Sequence, residues 1–194
     1  ENLTWFSSFW VRFSTLIISL LAIPSSLGAE DRGLLAHYTF AEGQGNALKD
    51  HGDNGINGTI HNAEWVQDGN GHALKFGRSG AYVDFGNDSR LRFAGDVTIA
   101  AWVKLMASPY PDPETNWTIL ASEDYDGKPT PQSGFSLMIA GDSSQLYFRS
   151  SQSGACQDAT LAWPLENNRP HLVGVIKKGG AARLFLDGLS GPEF

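Results

Sequence analysis

The chain of 194 residues carries 14 Lys and Arg against 21 Asp and Glu, a net charge of −7, with 41% hydrophobic and 11% aromatic residues. An acidic chain whose only adjacent basic pair is Lys177-Lys178 repels phosphates, which argues against nucleic acid and anionic membrane surfaces as partners. The single cysteine, Cys156, excludes an internal disulfide framework and is either a free thiol or the partner of a cysteine beyond the end of the chain.

The chain starts at Glu1 and runs out through Gly191-Pro192-Glu193-Phe194 without a closing element, as expected of a fragment. Arg12 precedes an almost wholly apolar run over 13–23, and Pro24-Ser25-Ser26-Leu27-Gly28-Ala29 then leads into charged Glu30 and Asp31. That order predicts a secretory signal peptide over 1–29, cut after Gly28 or Ala29, and hence a secreted or cell-surface protein. The run is too short for a membrane span, which needs about 20 apolar residues. Removing it takes away Glu1 and Arg12, so residues 30–194 keep the net charge. They suffice for one domain that buries roughly two thirds of its unfolded surface.

Beyond residue 33 the chain breaks into short apolar segments separated by Gly, Asn, Asp, Ser and Pro: 34–40, 73–76, 81–85, 97–105, 118–122, 135–140, 146–149, 172–177 and 182–186. Phe135, Leu137 and Ile139 share one face of a strand, and Val97, Ile99, Ala101 and Val103 oppose Thr98, Ala100, Trp102 and Lys104. The period is two throughout, and no stretch keeps an apolar stripe at helical spacing without a Gly or Pro interrupting it. The fold class is therefore all-β, with antiparallel strands in two stacked sheets or a barrel. Two strand-poor stretches interrupt the pattern. Residues 107–117 carry Pro109, Pro111 and Pro113, and residues 123–133 carry Pro129 and Pro131, at a spacing that forbids ladder pairing.

Five pieces in order carry a family resemblance. Leu34-Leu35-Ala36-His37-Tyr38-Thr39-Phe40 is followed by Glu42-Gly43-Gln44-Gly45 and by the turn Asp50-His51-Gly52-Asp53-Asn54-Gly55 with Asn57-Gly58. Gly71-His72-Ala73-Leu74-Lys75-Phe76 comes next, with Ala81-Tyr82-Val83-Asp84-Phe85 after it. Then come Val97-Thr98-Ile99-Ala100-Ala101-Trp102-Val103-Lys104, Pro170-His171-Leu172-Val173-Gly174-Val175 and Ala182-Arg183-Leu184-Phe185-Leu186-Asp187-Gly188. Together these resemble the laminin G-like domains of the concanavalin A-like lectin superfamily over nearly all of residues 30–194. The turn departs from the family pattern, since Gly52 replaces a usual Ser and Asp53 a usual Gly. The resemblance implies a two-sheet antiparallel jelly-roll sandwich, truncated at its C-terminal end. The family continues into closing strands beside the first one, so an unpaired strand over 34–40 is expected to expose backbone donors and acceptors, and further domains are expected beyond residue 194.

The same architecture hosts glucanases, so the chemistry has to be read from residues. A retaining glycosidase needs two carboxylates about 5 to 5.5 Å apart. The nearest run here, Glu123-Asp124-Tyr125-Asp126, is flanked by Gly127 and Pro129 and reads as a turn. Ser79 misses the nucleophile elbow by its final glycine, and the five histidines never come at close metal-ligand spacing. Calcium suits the oxygen-rich turn of Asp50, Asp53 and Asn57, although Asp, Asn and Gly also build tight turns without metal. The family's habit of placing calcium on rim loops adds Asp112, Glu114, Asp124 and Asp126. Tyr110, Trp117 and Tyr125 sit in or beside the two long loops and are the candidate sugar-stacking rings. The expectation is a non-catalytic extracellular module that binds a glycan or mediates adhesion. The alternatives are a protein-interaction module of the same fold and a glycoside hydrolase.

Overall fold

The structure, a computed structural model, describes residues 3–6, 33–77, 80–93, 95–105, 116–124, 133–140, 145–152, 155–162 and 168–191. Among them are fourteen strands, one 3-10 turn at Ser89–Leu91, and no α-helix. The strands are β1 (Leu3–Phe6), β2 (Ala47–Leu48), β3 (Gly58–His61), β4 (Glu64–Asp68), β5 (Gly71–Phe76), β6 (Tyr82–Asp84) and β7 (Val97–Leu105). They continue with β8 (Asn116–Asp124), β9 (Ser133–Ala140), β10 (Gln145–Gln152), β11 (Ala155–Ala162), β12 (Pro170–Lys178), β13 (Ala181–Leu186) and β14 (Leu189–Ser190). All pairings are antiparallel.

Three sheets result: a seven-stranded one in the order β14-β13-β12-β7-β1-β5-β4, a four-stranded one in the order β11-β10-β9-β8, and a small one of β2-β3-β6. The alternation read from the sequence decides how the first two stack. Ile99 and Val103 of β7, Val173 and Val175 of β12, and Leu184 and Leu186 of β13 form one wall of the main core. Phe135, Leu137 and Ile139 of β9 with Leu146 and Phe148 of β10 form the other. Fully burying each such side chain stabilises the fold by roughly 1.5–3 kcal/mol, so this double row dominates the sandwich. A second cluster of Phe40, Leu48, Ile60 and Leu74 joins the small sheet to the β4–β5 hairpin.

Gly174 lets the sheet pack as tightly as it does on its other face. A Cβ there would lie 2.2 Å from the Ile99 carbonyl oxygen and 2.4 Å from the Phe185 ring, which folds over the bare backbone.

The inward row of β12 ends differently at its two ends. At the start, buried His171 follows the same face as Val173 and Val175 and is held by Asp187, with Nδ1 2.8 Å from Oδ2. The other Asp187 oxygen accepts the Leu172 N–H at 2.9 Å, and the Asp187 N–H returns a bond to the Leu172 carbonyl. At its far end the row reaches Lys177, which has no such clamp.

Residues 34–40 correct the expected opening strand: they pair in no sheet. Their backbone is held instead by the turn that follows. The His37 N–H donates to Asp50 Oδ1, the His37 carbonyl accepts from the His51 N–H, and Asn54 Nδ2 donates to the carbonyls of Leu34 and Leu35. The sheet position between β5 and β7 is filled by β1, whose Leu3 pairs with Phe76 on one side and Leu105 on the other. That strand comes from the stretch expected to be a leader. With residues 1–29 removed, β5 and β7 become two bare edges over a buried core. The thermal midpoint is then expected to fall by roughly 4 °C or more, with self-association on size-exclusion chromatography. An unchanged midpoint and monomeric elution would show that the slot contributes nothing.

Candidate functional site

The inward rows of both sheets change from apolar to polar at the same end of the sandwich. On β10, Leu146 and Phe148 give way to Ser150 and Gln152, and on β11 buried Ala159 gives way to Gln157 and Ala155. Register confirms the match, since Phe148 pairs with Ala159, Ser150 with Gln157 and Gln152 with Ala155. Facing them on β12, the alternation that buries Val173 and Val175 carries Lys177 onto the same side. Lys177 shares its rung with Val97 and Ala182, which pack at the margin of the core, and past them opens a cleft of about 410 Å³ lined by Gly95, Asp96, Ser150, Gln152, Ala155, Gln157, Lys177 and Gly180.

The cleft's hydrogen-bonding capacity is almost wholly unspent. One Asp96 oxygen accepts the Gly179 N–H at 2.8 Å, which pins the β12–β13 turn against the entrance to β7. Among the described residues, the side chains of Ser150, Gln152, Gln157 and Lys177 make no hydrogen bond or ion pair. Two amides, a hydroxyl, an ammonium and a carboxylate thus converge on one solvent-filled space. Nothing in the loop-based reading pointed to them. A period-two reading of residues 146–152 would have, because it places Ser150 and Gln152 directly after Phe148 on the core face.

The outer face of the four-stranded sheet is polar in a different manner. Arg149 grips Asp158 with Nε 2.9 Å from Oδ1, donates to Tyr147 Oη at 2.9 Å, and lies 5.5 Å above the Tyr147 ring. The bond from Arg149 holds the Asp158 carboxyl below its ordinary range, outweighing burial, and the same pair raises Arg149. Tyr147 is raised by burial first and then by Asp158. A part-exposed pair of this kind contributes about 0–1 kcal/mol, so it orders the face more than it stabilises it. Ser136, buried on this face, donates to Glu123 Oε1 at 2.8 Å. Glu123 on β8 and Asp158 on β11 are three strand spacings apart, about 14 Å, well beyond the separation of a glycosidase pair. Exposed Cys156 also lies here, with Sγ 3.2 Å from Ser151 Oγ.

Trp117 lies in β8, half-buried against the main core, opposite Ile139. A bulge between Thr118 and Leu120 lets Ile119 and Leu120 both reach that core as well. Trp117 and Asp124, the residue from which the chain runs on to Tyr125, are seven residues apart on one strand, about 23 Å. Tyr110, Asp112, Glu114, Tyr125 and Asp126 lie outside the described residues, as does Ser79. Asp124 is placed only as the β8 residue that pairs with Ser133.

Asp50, Asp53 and Asn57 do fall in one turn. Asp50 Oδ1 accepts the N–H groups of His37 and Gly52 at 2.9 and 2.8 Å, and Oδ2 accepts that of Ile56 at 3.0 Å. Asn57 Oδ1 accepts the Asp50 N–H, and Asp53 is exposed. Donors aimed at these oxygens suit a carboxylate and oppose a cation, so the turn does not fit a calcium ion. Among the described residues no group of three or more His, Cys, Asp or Glu could hold a metal ion.

Antiparallel sheets stacked face to face on an apolar core define a β-sandwich. The chain belongs to the Laminin_G_3 family of the concanavalin A-like lectin/glucanases superfamily, which it matches over residues 76–191. It is similar in structure to residues 221–444 of an S-layer domain-containing protein from Clostridium thermocellum, at 24% identity and a TM-score of 0.52 over 82% of this chain and 71% of that one. It is also similar to the carbohydrate binding module CBM66 from Bacillus subtilis, at 16% identity and a TM-score of 0.42, over 70% of this chain and 77% of that one. No curated protein sequence matches the chain.

Burial pushes the Asp50 carboxyl up, but bonds from the backbone of His37, Gly52, Ile56 and Gly55 outweigh it and leave it below its ordinary range. A depressed folded-state value means stability that is present above the unfolded value of about 3.9 and lost as pH falls through the folded one. Asp50→Ala is expected to cost about 2 kcal/mol at pH 7 through lost charge-assisted bonds. The gap in melting midpoint from wild type should narrow on acidification below pH 4, and a gap independent of pH would refute this role for the carboxylate.

Proposed function

We propose that this domain is a non-catalytic extracellular module that binds a saccharide in the cleft between the ends of its two sheets. The observation that carries the reading is the set of unspent polar groups there. Ser150, Gln152, Gln157 and Asp96 offer the hydroxyl, amide and carboxylate partners that sugar hydroxyls require, in a space of about 410 Å³, large enough for one or two sugar rings. The buried polar residues of the two large sheets are paired within the chain: His171 with Asp187, Ser136 with Glu123 and Ser151 with Cys156. The cleft groups are left for something else.

A binding role without catalysis is supported by the placement of the carboxylates. Among the described residues Asp96 is the one carboxylate lining the cleft, and Glu123 and Asp158 are too far apart to act as acid and nucleophile on one glycosidic bond. The secreted or surface location rests on the leader-like segment over 1–29. Among the described residues no helix is long and apolar enough to cross a membrane. A calcium ion, if one takes part, belongs with Asp112, Glu114, Asp124 and Asp126 and not with the Asp50 turn.

The test is retention on a glycan array, followed by calorimetric titration of the best ligand. Gln157→Ala and Gln152→Ala are each expected to weaken binding by about fivefold to tenfold, the worth of one net hydrogen bond or slightly more. Both sit on exposed rungs, so the melting midpoint should stay close to wild type. Trp117→Ala is expected to lower the midpoint through lost core packing. Undiminished binding in both glutamine variants would refute the cleft, and release of new reducing ends from a bound oligosaccharide would refute the non-catalytic reading.

A further inference from the structure

Among the described residues Lys177 is the one cation lining the cleft, and it lacks the partner that several other cations have. Arg149 is paired with Asp158, Arg90 with Asp88, and Lys104 with Asp68. At the opposite end of the same inward row, His171 is paired with Asp187. Lys177 is half-buried on the core-facing side of β12, yet among the described residues it has no ion-pair or hydrogen-bond partner. Asp96 lines the same cleft but does not pair with it, one of its oxygens being taken by the Gly179 N–H.

Half-burying an ammonium removes part of its hydration, and a cation so placed gains most from an anion that arrives with the ligand. The register fixes where it stands. Lys177 lies beyond Val175 on the core-facing row, so its methylene stem continues the apolar wall while the ammonium emerges opposite Ser150 and Gln157. A neutral sugar would use the amides and the hydroxyl and leave this charge unmet. We infer that the saccharide recognised in this cleft is a uronic acid-bearing one, with its carboxylate on Lys177 and its hydroxyls on Ser150, Gln152, Gln157 and Asp96. This rests on the saccharide-binding reading above and narrows it to a ligand class.

The experiment uses the full chain and paired probes: an array of uronic acid oligosaccharides, their carboxyl-reduced neutral counterparts, and sulfated neutral oligosaccharides of matching length. The acidic members are expected to bind at least about tenfold more tightly than their reduced partners at low salt, with the preference shrinking as salt rises. Lys177→Met keeps the apolar stem and should abolish the preference while sparing any binding of the neutral forms. Lys177→Arg should keep it, and so should Lys178→Met, which alters an exposed neighbour. If Lys177→Met melts well below wild type, the arginine variant and the salt dependence decide. Equal binding of acidic and neutral members, both lost in Gln157→Ala, would overturn the uronate assignment and leave the saccharide site standing. Tighter binding of the sulfated series would overturn the carboxylate in favour of sulfate. Retention of no glycan, acidic or neutral, would take down the saccharide reading and this inference with it.

Discussion

Stacked sheets can approach closely only where both inward rows are apolar, and that requirement organises this molecule. The β12 row runs His171, Val173, Val175, Lys177, so two buried valines are bracketed by two ionisable side chains. Opposite them, Leu146 and Phe148 are followed by Ser150 and Gln152. Where leucine, phenylalanine and valine meet, water is expelled and the sandwich closes. Where serine, glutamine and lysine meet, closing would strand donors and acceptors without partners, at a cost of about 1–3 kcal/mol for each group. The sheets stay apart instead, and the cleft is what remains.

The polar groups of the described residues separate into those already satisfied and those not. Asp50 is ringed by backbone N–H groups and ties residues 34–37 to the turn after β2. His171 and Asp187 close one end of the core, and Arg149, Asp158 and Tyr147 order the outer face of the four-stranded sheet. Each set is committed to the chain itself. The cleft residues are unpaired and line one space together, which is a stronger pointer to a ligand than residue type alone.

Much of the fold was legible because alternation with period two is a local property. Ile99, Val103, Leu137 and Ile139 are all buried in the main core as their spacing required. The segments at 73–76, 97–105, 135–140 and 182–186 are strands close to their expected limits. Strand β11 carries no local signal, because Ala155–Ala162 mixes small and polar residues with a single large apolar one, Leu161, and is recognisable only by its pairing with β10. Residues 34–40 have strand-like composition, yet the Asp50 turn and Asn54 claim their backbone groups, a contest between distant residues that no window of sequence contains.

The candidate site shows the same division. Local patterning by itself determined an all-β chain, the turns between its strands, and the family to which residues 76–191 belong. Only the tertiary structure decided that Trp117 packs on the core, that Asp50 caps a backbone turn, and that Ser150, Gln152, Gln157, Asp96 and Lys177 converge from four separate stretches of chain. The reason is physical: alternation says which side of a strand a residue faces, whereas a site depends on which other strand lies across from it, and that is set by how the sheets stack.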